Sequence, residues 1–597
     1  MRAIFMRTFL RCQADRLRHV IVAVLPVNVQ SSPAQRIDYH TPMALSAALA
    51  LILAGASAYA DHGNDIGPDP ILFRHVRVLS LDHAELLNDR RVSVRGDRIQ
   101  TIVPDDTSPL EPTSIDGHGF TLMPGLVDFH THSQGWEELP SYVAAGVTTI
   151  VTMDGEALMG RSHLGGDLPR PNFISSSEIL DGDPPINRRF YAVDAAHAAQ
   201  IVDQEKARGA EFLKIYSKLG DPARTALLAA ARERGMLVGG HIPHGADLKT
   251  LFNQGFALVA HGEEYFQYFP DGPSPARISE LADITARAHV AVIPDLVGYT
   301  AMSRQAVRLT SELTQPDVAS LSSAVYQEWL PRRNRYATRD NPQEFAGRVD
   351  AGLPVLQQLT KALHDRHVLL LAGTDTPIFC LPGDCLHEEI RLLAASGIGN
   401  FNALRAATVN AGIFTARIEH LAPSCGSVAP GMRADLILVS GNPVEDLNAL
   451  EHIHGVMVSG KWMPMAAILD AKAEVRKKIA PQHATVDQYE KLIVAPQLGP
   501  LFKLLKSIPI EAETLNSNVL IFDAVDLEQA GRLSDGIALL EKASHIFQRQ
   551  PGLWNTLGTL RLEAGDLSGA KQAFGRALKD RPYDGIALKG MSKASAP

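Results

Sequence analysis

The chain has 597 residues, 45% of them hydrophobic and 21% charged, and a formal net charge of -9. This length exceeds one ordinary domain, and the composition is that of a globular protein, not a disordered or fibrous one. Mild acidity without a concentrated basic face argues against a nucleic-acid partner, and four cysteines are too few for a disulfide scaffold.

The stretch Met43–Ala60 (MALSAALALILAGASAYA) is short, apolar and ends in Ala58-Tyr59-Ala60. A small-x-small end after such a run reads as a secretory signal, so residues 1–60 are expected to be a leader, with the mature chain starting at Asp61. The expected location is periplasmic or extracellular, or cytoplasmic if this segment is not a working signal. The run is short for a bilayer crossing, so no transmembrane span is expected in the mature protein. Arg2, Arg7, Arg11, Arg16 and Arg18 precede a second apolar patch, and either Met1 or Met43 can be the initiator.

Ile71–Val78 and Arg91–Ile99 alternate apolar and polar residues around Gly-Asp turns, the pattern of a half-exposed antiparallel sheet. Similar runs return at Gly431–Val439 and Ile453–Lys461. Residues 61–125 and 421–480 are therefore predicted to form a composite β-sandwich. Between them, residues 126–420 alternate strand-like and helix-like runs. Eight strands are predicted, at Leu126–His132, Thr148–Met153, Phe173–Glu178, Phe212–Tyr216, Leu237–His241, Ala257–His261, Val290–Pro294 and Val368–Gly373. Eight strand–helix units imply an α/β fold, a (β/α)8 TIM barrel with active-site groups at the strand C-terminal ends. Tyr299 to about Gln358 reads as a helical excursion after the seventh strand. Cys380 and Cys385 flank a Pro-Gly turn and, in an exported protein, are placed to form a disulfide worth about 2 kcal/mol. Residues 481–510 read as a linker. Residues 511–597 read as helix pairs in which Leu553–Gly558, Gly565-Asp566 and Ala570–Ala577 resemble a tetratricopeptide (TPR) repeat, a place for a protein partner.

The chemistry concentrates at strand ends. In Thr121–Gln134 (TLMPGLVDFHTHSQ), His130 and His132 stand at i and i+2, so both imidazoles project from one face of a strand and suit zinc or a similar divalent metal. Lys214 lies between apolar residues on the fourth strand, where an isolated cation is costly. His241 and His261 end the fifth and sixth strands, and Asp375 follows the eighth.

Taken in this order, the Pro-Gly-x-x-Asp-x-His-x-His motif, Lys214, His241, His261 and Asp375 resemble the metal constellation of the amidohydrolase superfamily. Over about Ile71–Met465 the chain looks most like its imidazolonepropionase-related and prolidase-like branch. The resemblance implies two divalent metal ions, zinc by preference. One would be held by His130, His132 and Asp375, the other by His241 and His261, with a carboxylated Lys214 bridging them. It also implies hydrolysis of an amide C–N bond, with water between the metals losing a proton near neutral pH and Asp375 carrying that proton to the leaving amine. Tyr216, Glu263, Glu264 and His244 are substrate-contact candidates. The implied substrate is a dipeptide or an N-acyl amino acid, so the reading is a dipeptidase, prolidase-like enzyme or N-acyl amino-acid amidohydrolase. The alternatives are a hydrolase of cyclic amides resembling imidazolonepropionase, against which Lys214 argues, and a scaffold acting through the tail. Self-association is left open.

Overall fold

A computed structural model describes residues 70–595 except 107, 111–113, 134, 156–167 and 511–513. The predicted leader and the choice between Met1 and Met43 lie outside the described residues. Among the described residues, no helix is long and apolar enough to cross a membrane.

Strands from both sides of the barrel segment share one sheet. Its order is Lys461–Pro464, Ile453–Val458, Leu436–Ser440, Phe120–Pro124, Ile71–Ser80, Glu85–Arg95 and Arg98–Pro104, and the short Ser114–Asp116 also pairs with Ile71–Ser80. The predicted run Arg91–Ile99 is a hairpin, turned at Gly96, whose φ of 59° suits glycine. The two flanking segments are joined where Leu436–Ser440 runs antiparallel to Phe120–Pro124 with Leu438 opposite Leu122, and again by an antiparallel bridge between Arg98 and Arg433. Phe73, Val92, Leu122, Leu438 and Met457 then bury together.

The barrel strands follow in chain order and are parallel: Leu126–Thr131, Val147–Thr152, Asn172–Asp181, Phe212–Ile215, Val238–Gly240, Phe256–Val259 and Ala291–Val292. Most are buried along their whole length, as strands covered on both faces must be. Residues 369–376 close the ring. Leu371 N donates to Val292 O (2.9 Å), Phe129 N to Ala372 O (2.9 Å) and Asp375 N to His130 O (2.8 Å). This eighth segment makes isolated parallel bridges, Val292 with Leu370 and Thr131 with Thr376, where a full ladder was expected. Asp375 has a left-handed φ of 53°, which breaks the pleat at the point where its side chain is needed.

The excursion comprises Leu296–Leu313, Pro316–Ser320, Ser323–Trp329 and Pro342–His364. Most of the predicted linker is helical instead. Met465–Ile493 is a single 29-residue helix whose residues Ile468, Val475, Ile479, Val486, Tyr489 and Ile493 bury one stripe. Gly499–Ser507 follows, then the pairs Ser517–Gln529 with Leu533–Ile546 and Pro551–Glu563 with Leu567–Asp580, and lastly Gly585–Ser595. The tail is bolted to the rest by buried ion pairs. Arg333 reaches Asp523 (2.5 Å) and Glu490 (2.9 Å), and Arg581 pairs with Glu178 on the third barrel strand. Cys380 and Cys385 are bonded, and Cys425 is buried and free.

Candidate metal centre

His130 and Lys214 lie near the ends of their strands, and His132, His241 and His261 just beyond theirs, so the side chains converge at one end of the sheet. His130 Nε2 and His132 Nε2 lie 3.3 Å apart. Asp375 Oδ1 is 2.8 Å from His132 Nε2 and 3.5 Å from His130 Nε2. The His261 ring centroid is 4.6 Å from that of His130 and 4.7 Å from that of His241. Lys214 is fully buried, with Nζ 3.5 Å from His130 Nε2. The six predicted ligand positions therefore meet at one place.

Two glycines make this convergence possible. A Cβ on Gly240 (φ 126°) would stand 2.3 Å from Ile215 O and 2.9 Å from Lys214 Cδ, so only glycine lets the fifth strand pass Lys214 this closely. A Cβ on Gly373 would meet His130 N at 2.9 Å. Asp128 fixes the first strand to the last: Thr374 Oγ1 donates to Asp128 Oδ2 at 2.6 Å, and burial pushes the Asp128 carboxyl up to about 8.

Behind the imidazoles stands a second row of acids. His132 Nδ1 lies 3.1 Å from Asp154 Oδ2, His241 Nδ1 2.5 Å from Glu264 Oε1, and His261 Nδ1 2.8 Å from Asp295 Oδ2. A carboxylate on one ring nitrogen fixes the tautomer and turns the other nitrogen toward a metal. Sequence reasoning had Glu264 as a substrate contact and missed Asp128, Asp154 and Asp295. Asp154 and Asp295 directly follow the predicted second and seventh strands, so the positional rule that found His241 applies to them too. The close donor sets are His130, His132, Asp375 and His130, His261, Asp295, all buried. The second set contains Asp295 where His241 was expected, and His241 is its immediate neighbour.

The donor chemistry fits a divalent cation. Burial, reinforced by neighbouring cations, drives His130 and His241 well below the ordinary imidazole range and His261 below it, which leaves their lone pairs free. Burial lowers His132 as well, but Asp375 and Asp154 outweigh it and lift it to about 9. The position between those two carboxylates thus favours positive charge. Burial pushes Asp375 up, yet His132, His261 and Lys214 hold it below the usual carboxylate range. Its Oδ1 faces two Nε2 atoms without closing a hydrogen bond to either, and His130 Nδ1 is buried with no hydrogen-bond partner among the described residues. Burial also brings the Lys214 amine down to about 8, against the pull of Asp375 and Glu264.

The remaining predicted contacts surround this centre. Tyr216 stacks on His241 (centroids 3.8 Å apart) and on Phe190 (4.9 Å). His244 is exposed and, with Glu263, Glu264, Tyr299 and Arg339, lines a mouth cavity of about 440 Å³. Burial pushes the Glu263 carboxyl up to about 7.

Residues 218–463 match the model of the Amidohydrolase family. Among curated proteins, the chain is 23% identical over 382 residues to an adenine deaminase of Rubrobacter xylanophilus, covering 63% of this chain and 55% of that one. It is 22% identical over 422 residues to adenine deaminase 3 of Rhizobium meliloti, covering 68% and 59%. The chain thus spans little more than half the length of these relatives. Among solved structures, bottromycin amidohydrolase shares the fold at a TM-score of 0.54 and 23% identity, over 72% of this chain and 94% of that one. A Xaa-Pro dipeptidase with bound methionine does so at 0.50 and 18%, over 66% and 100%.

Proposed function

We propose that this chain, whose residues 218–463 match the Amidohydrolase family model, is a metal-dependent hydrolase of C–N bonds in a cyclic amide or amidine. The convergence of the buried His130, His132 and Asp375 carries the hydrolase reading. The cyclic substrate is favoured by the curated relatives, which are named for the deamination of adenine, a ring amidine. A second reading, a dipeptidase or N-acyl amino-acid amidohydrolase, is favoured by Lys214. A buried amine brought down to about 8 holds enough neutral base to take up carbon dioxide, giving the anionic bridge of a two-zinc site.

On the second reading His130, His132, Asp375, His241, His261 and a carboxylated Lys214 would hold two zinc ions; on the first, the same histidines and Asp375 would hold at least one. When bound, such ions acidify water and polarise the carbonyl or amidine carbon under attack. Asp375 accepts the proton released at the attacking oxygen and returns it to the leaving nitrogen. Asp154, Glu264 and Asp295 keep the three imidazoles behind them in one tautomer. Tyr216, its hydroxyl kept protonated by burial, orients the substrate as a hydrogen-bond donor. The leader would export the chain, and the paired tail helices, TPR-like in pattern, would receive a protein partner.

The test is a panel of lactams, cyclic imides and aminopurines beside dipeptides and N-acyl amino acids, assayed with zinc-loaded protein of measured metal content. Turnover of the ring compounds supports the first reading, and turnover of dipeptides alone the second. Two equivalents of zinc without C–N hydrolysis anywhere on the panel would reject both.

A further inference from the structure

Asp295 has two tasks. Its Oδ2 lies 2.8 Å from His261 Nδ1, and it also opens the helix Leu296–Leu313, where its Oδ1 accepts from Gly298 N at 3.3 Å. A left-handed φ of 52° turns the chain at this residue. A helix begins with N–H groups that have no partner inside it, and a capping side chain ordinarily accepts from the second or third residue. Here the second is Val297 and the third Gly298. With Oδ1 on Gly298 and Oδ2 on His261, Asp295 is fully used, and Val297 is buried away from water.

Glu389 supplies the missing acceptor. Its Oε2 accepts from Val297 N at 2.8 Å, although 92 positions separate the two residues. Glu389 is fully buried in the helix Asp384–Leu393. That helix is packed on the one Asp295 opens, through Val297, Ala301 and the bonded Cys380 and Cys385, and through Arg304 to Glu388 at 2.7 Å. Glu389 Oε1 has no hydrogen-bond partner among the described residues. Burial, reinforced by Asp295 and Asp128, pushes the Glu389 carboxyl well above the usual carboxylate range, so it offers Val297 an oxygen and not a charge. Without that oxygen the buried Val297 N–H has no acceptor, a costly state. The capping carboxylate two residues before it is the group that ordinarily takes such an N–H.

We infer that Glu389 is a positioning residue for the metal centre: by taking the Val297 N–H it releases Asp295 Oδ2 to hold His261 in a single tautomer, with the proton on Nδ1 and the lone pair on Nε2. The eighth unit of the barrel thereby sets a histidine that ends the sixth strand. The inference rests on the proposed metal centre only where zinc is the reporter; the tautomer of His261 in metal-free protein reports on it separately.

The experiment pairs two readouts on the full chain: NMR of the His261 ring nitrogens in metal-free protein, and zinc affinity in competition with a chelator. Three variants are compared with the parent. Glu389→Met keeps the bulk and loses the oxygen, Glu389→Asp draws the oxygen back by one methylene, and Glu389→Gln keeps the oxygen and drops the acid. The parent and Glu389→Gln should both hold the His261 proton on Nδ1 and bind zinc equally. Glu389→Met should mix the two tautomers and weaken zinc by about 10-fold, the low end for a group acting behind a ligand, and Glu389→Asp should fall between. In an Asp295→Ala background Glu389→Met should add nothing, because both act through one contact. A parent-like His261 and zinc affinity in Glu389→Met, or in Glu389→Asp where Glu389→Met does not fold, overturns the inference. So does a loss in Glu389→Gln equal to that in Glu389→Met, or additive losses in the double variant. A chain that takes up no zinc while the tautomer shift stands counts against the proposed function and not against Glu389.

Discussion

The strand tips and the seam between excursion and tail are both crowded with buried charge, and they settle it in opposite ways. At the seam Arg333 is paired with Asp523 and Glu490, and where the tail meets the barrel Arg581 and Arg208 share Glu178. At the strand tips the balance is left open. Three imidazoles are driven neutral, and among the described residues Lys214 has no carboxylate within hydrogen-bonding reach and Asp375 Oδ1 faces nitrogens without closing a bond. A buried ion pair completed within the chain is architecture. Buried donors left incomplete call for a ligand from outside.

The sharpest way to break this contrast is at Lys214. Lys214→Ala should lose at least one metal equivalent and nearly all C–N hydrolysis, by metal analysis and assay of the same preparation. A variant that keeps both metals and most of its activity refutes the bridging role. Asp375→Asn asks whether ligation and proton transfer separate: turnover should fall by about 100-fold or more, while an amide oxygen still coordinating weakly retains much of the metal. The acidic limb of the pH–rate profile should go with it, and near-parent turnover would move the proton shuttle elsewhere. Asp295→Asn removes the carboxylate charge that backs His261 and belongs to the second donor set, so zinc affinity should weaken by roughly 10- to 100-fold in competition with a chelator. Asp523→Ala probes the other region. Leaving Arg333 with Glu490 alone and the Tyr489 hydroxyl without its acceptor should lower unfolding stability by about 1–3 kcal/mol in denaturant titration and leave zinc affinity at the parent value. Loss of zinc there would mean that the two regions are not separable.

The two regions also differ in how far the sequence discloses them. His130, His132, Lys214, His241, His261 and Asp375 were legible because each sits at a strand end, and strand ends are marked by local apolar runs. Asp154 and Asp295 carry the same mark and went unread, since a single aspartate after a strand looks like an ordinary loop residue. The seam had no local mark. Arg333 and Asp523 are 190 residues apart, and neither neighbourhood announces the other. The helix Met465–Ile493 was not anticipated, since residues 421–480 read as sandwich and 481–510 as linker; it runs through Pro481, where proline ordinarily ends a helix.

The hydrogen bond from Thr374 to Asp128 joins residues 246 positions apart and lies on the line where the first and last strands of the ring meet. His130 and His132 stand on one side of that line and Asp375 on the other, so the metal site does not exist until the ring has shut. Contacts of such long sequence separation form late, because the chain entropy between them must be given up first. The cation accordingly has affinity for the finished ring and little for anything that precedes it. Zinc should therefore slow unfolding far more than it speeds folding, a kinetic latch on the one seam by which the barrel would otherwise open.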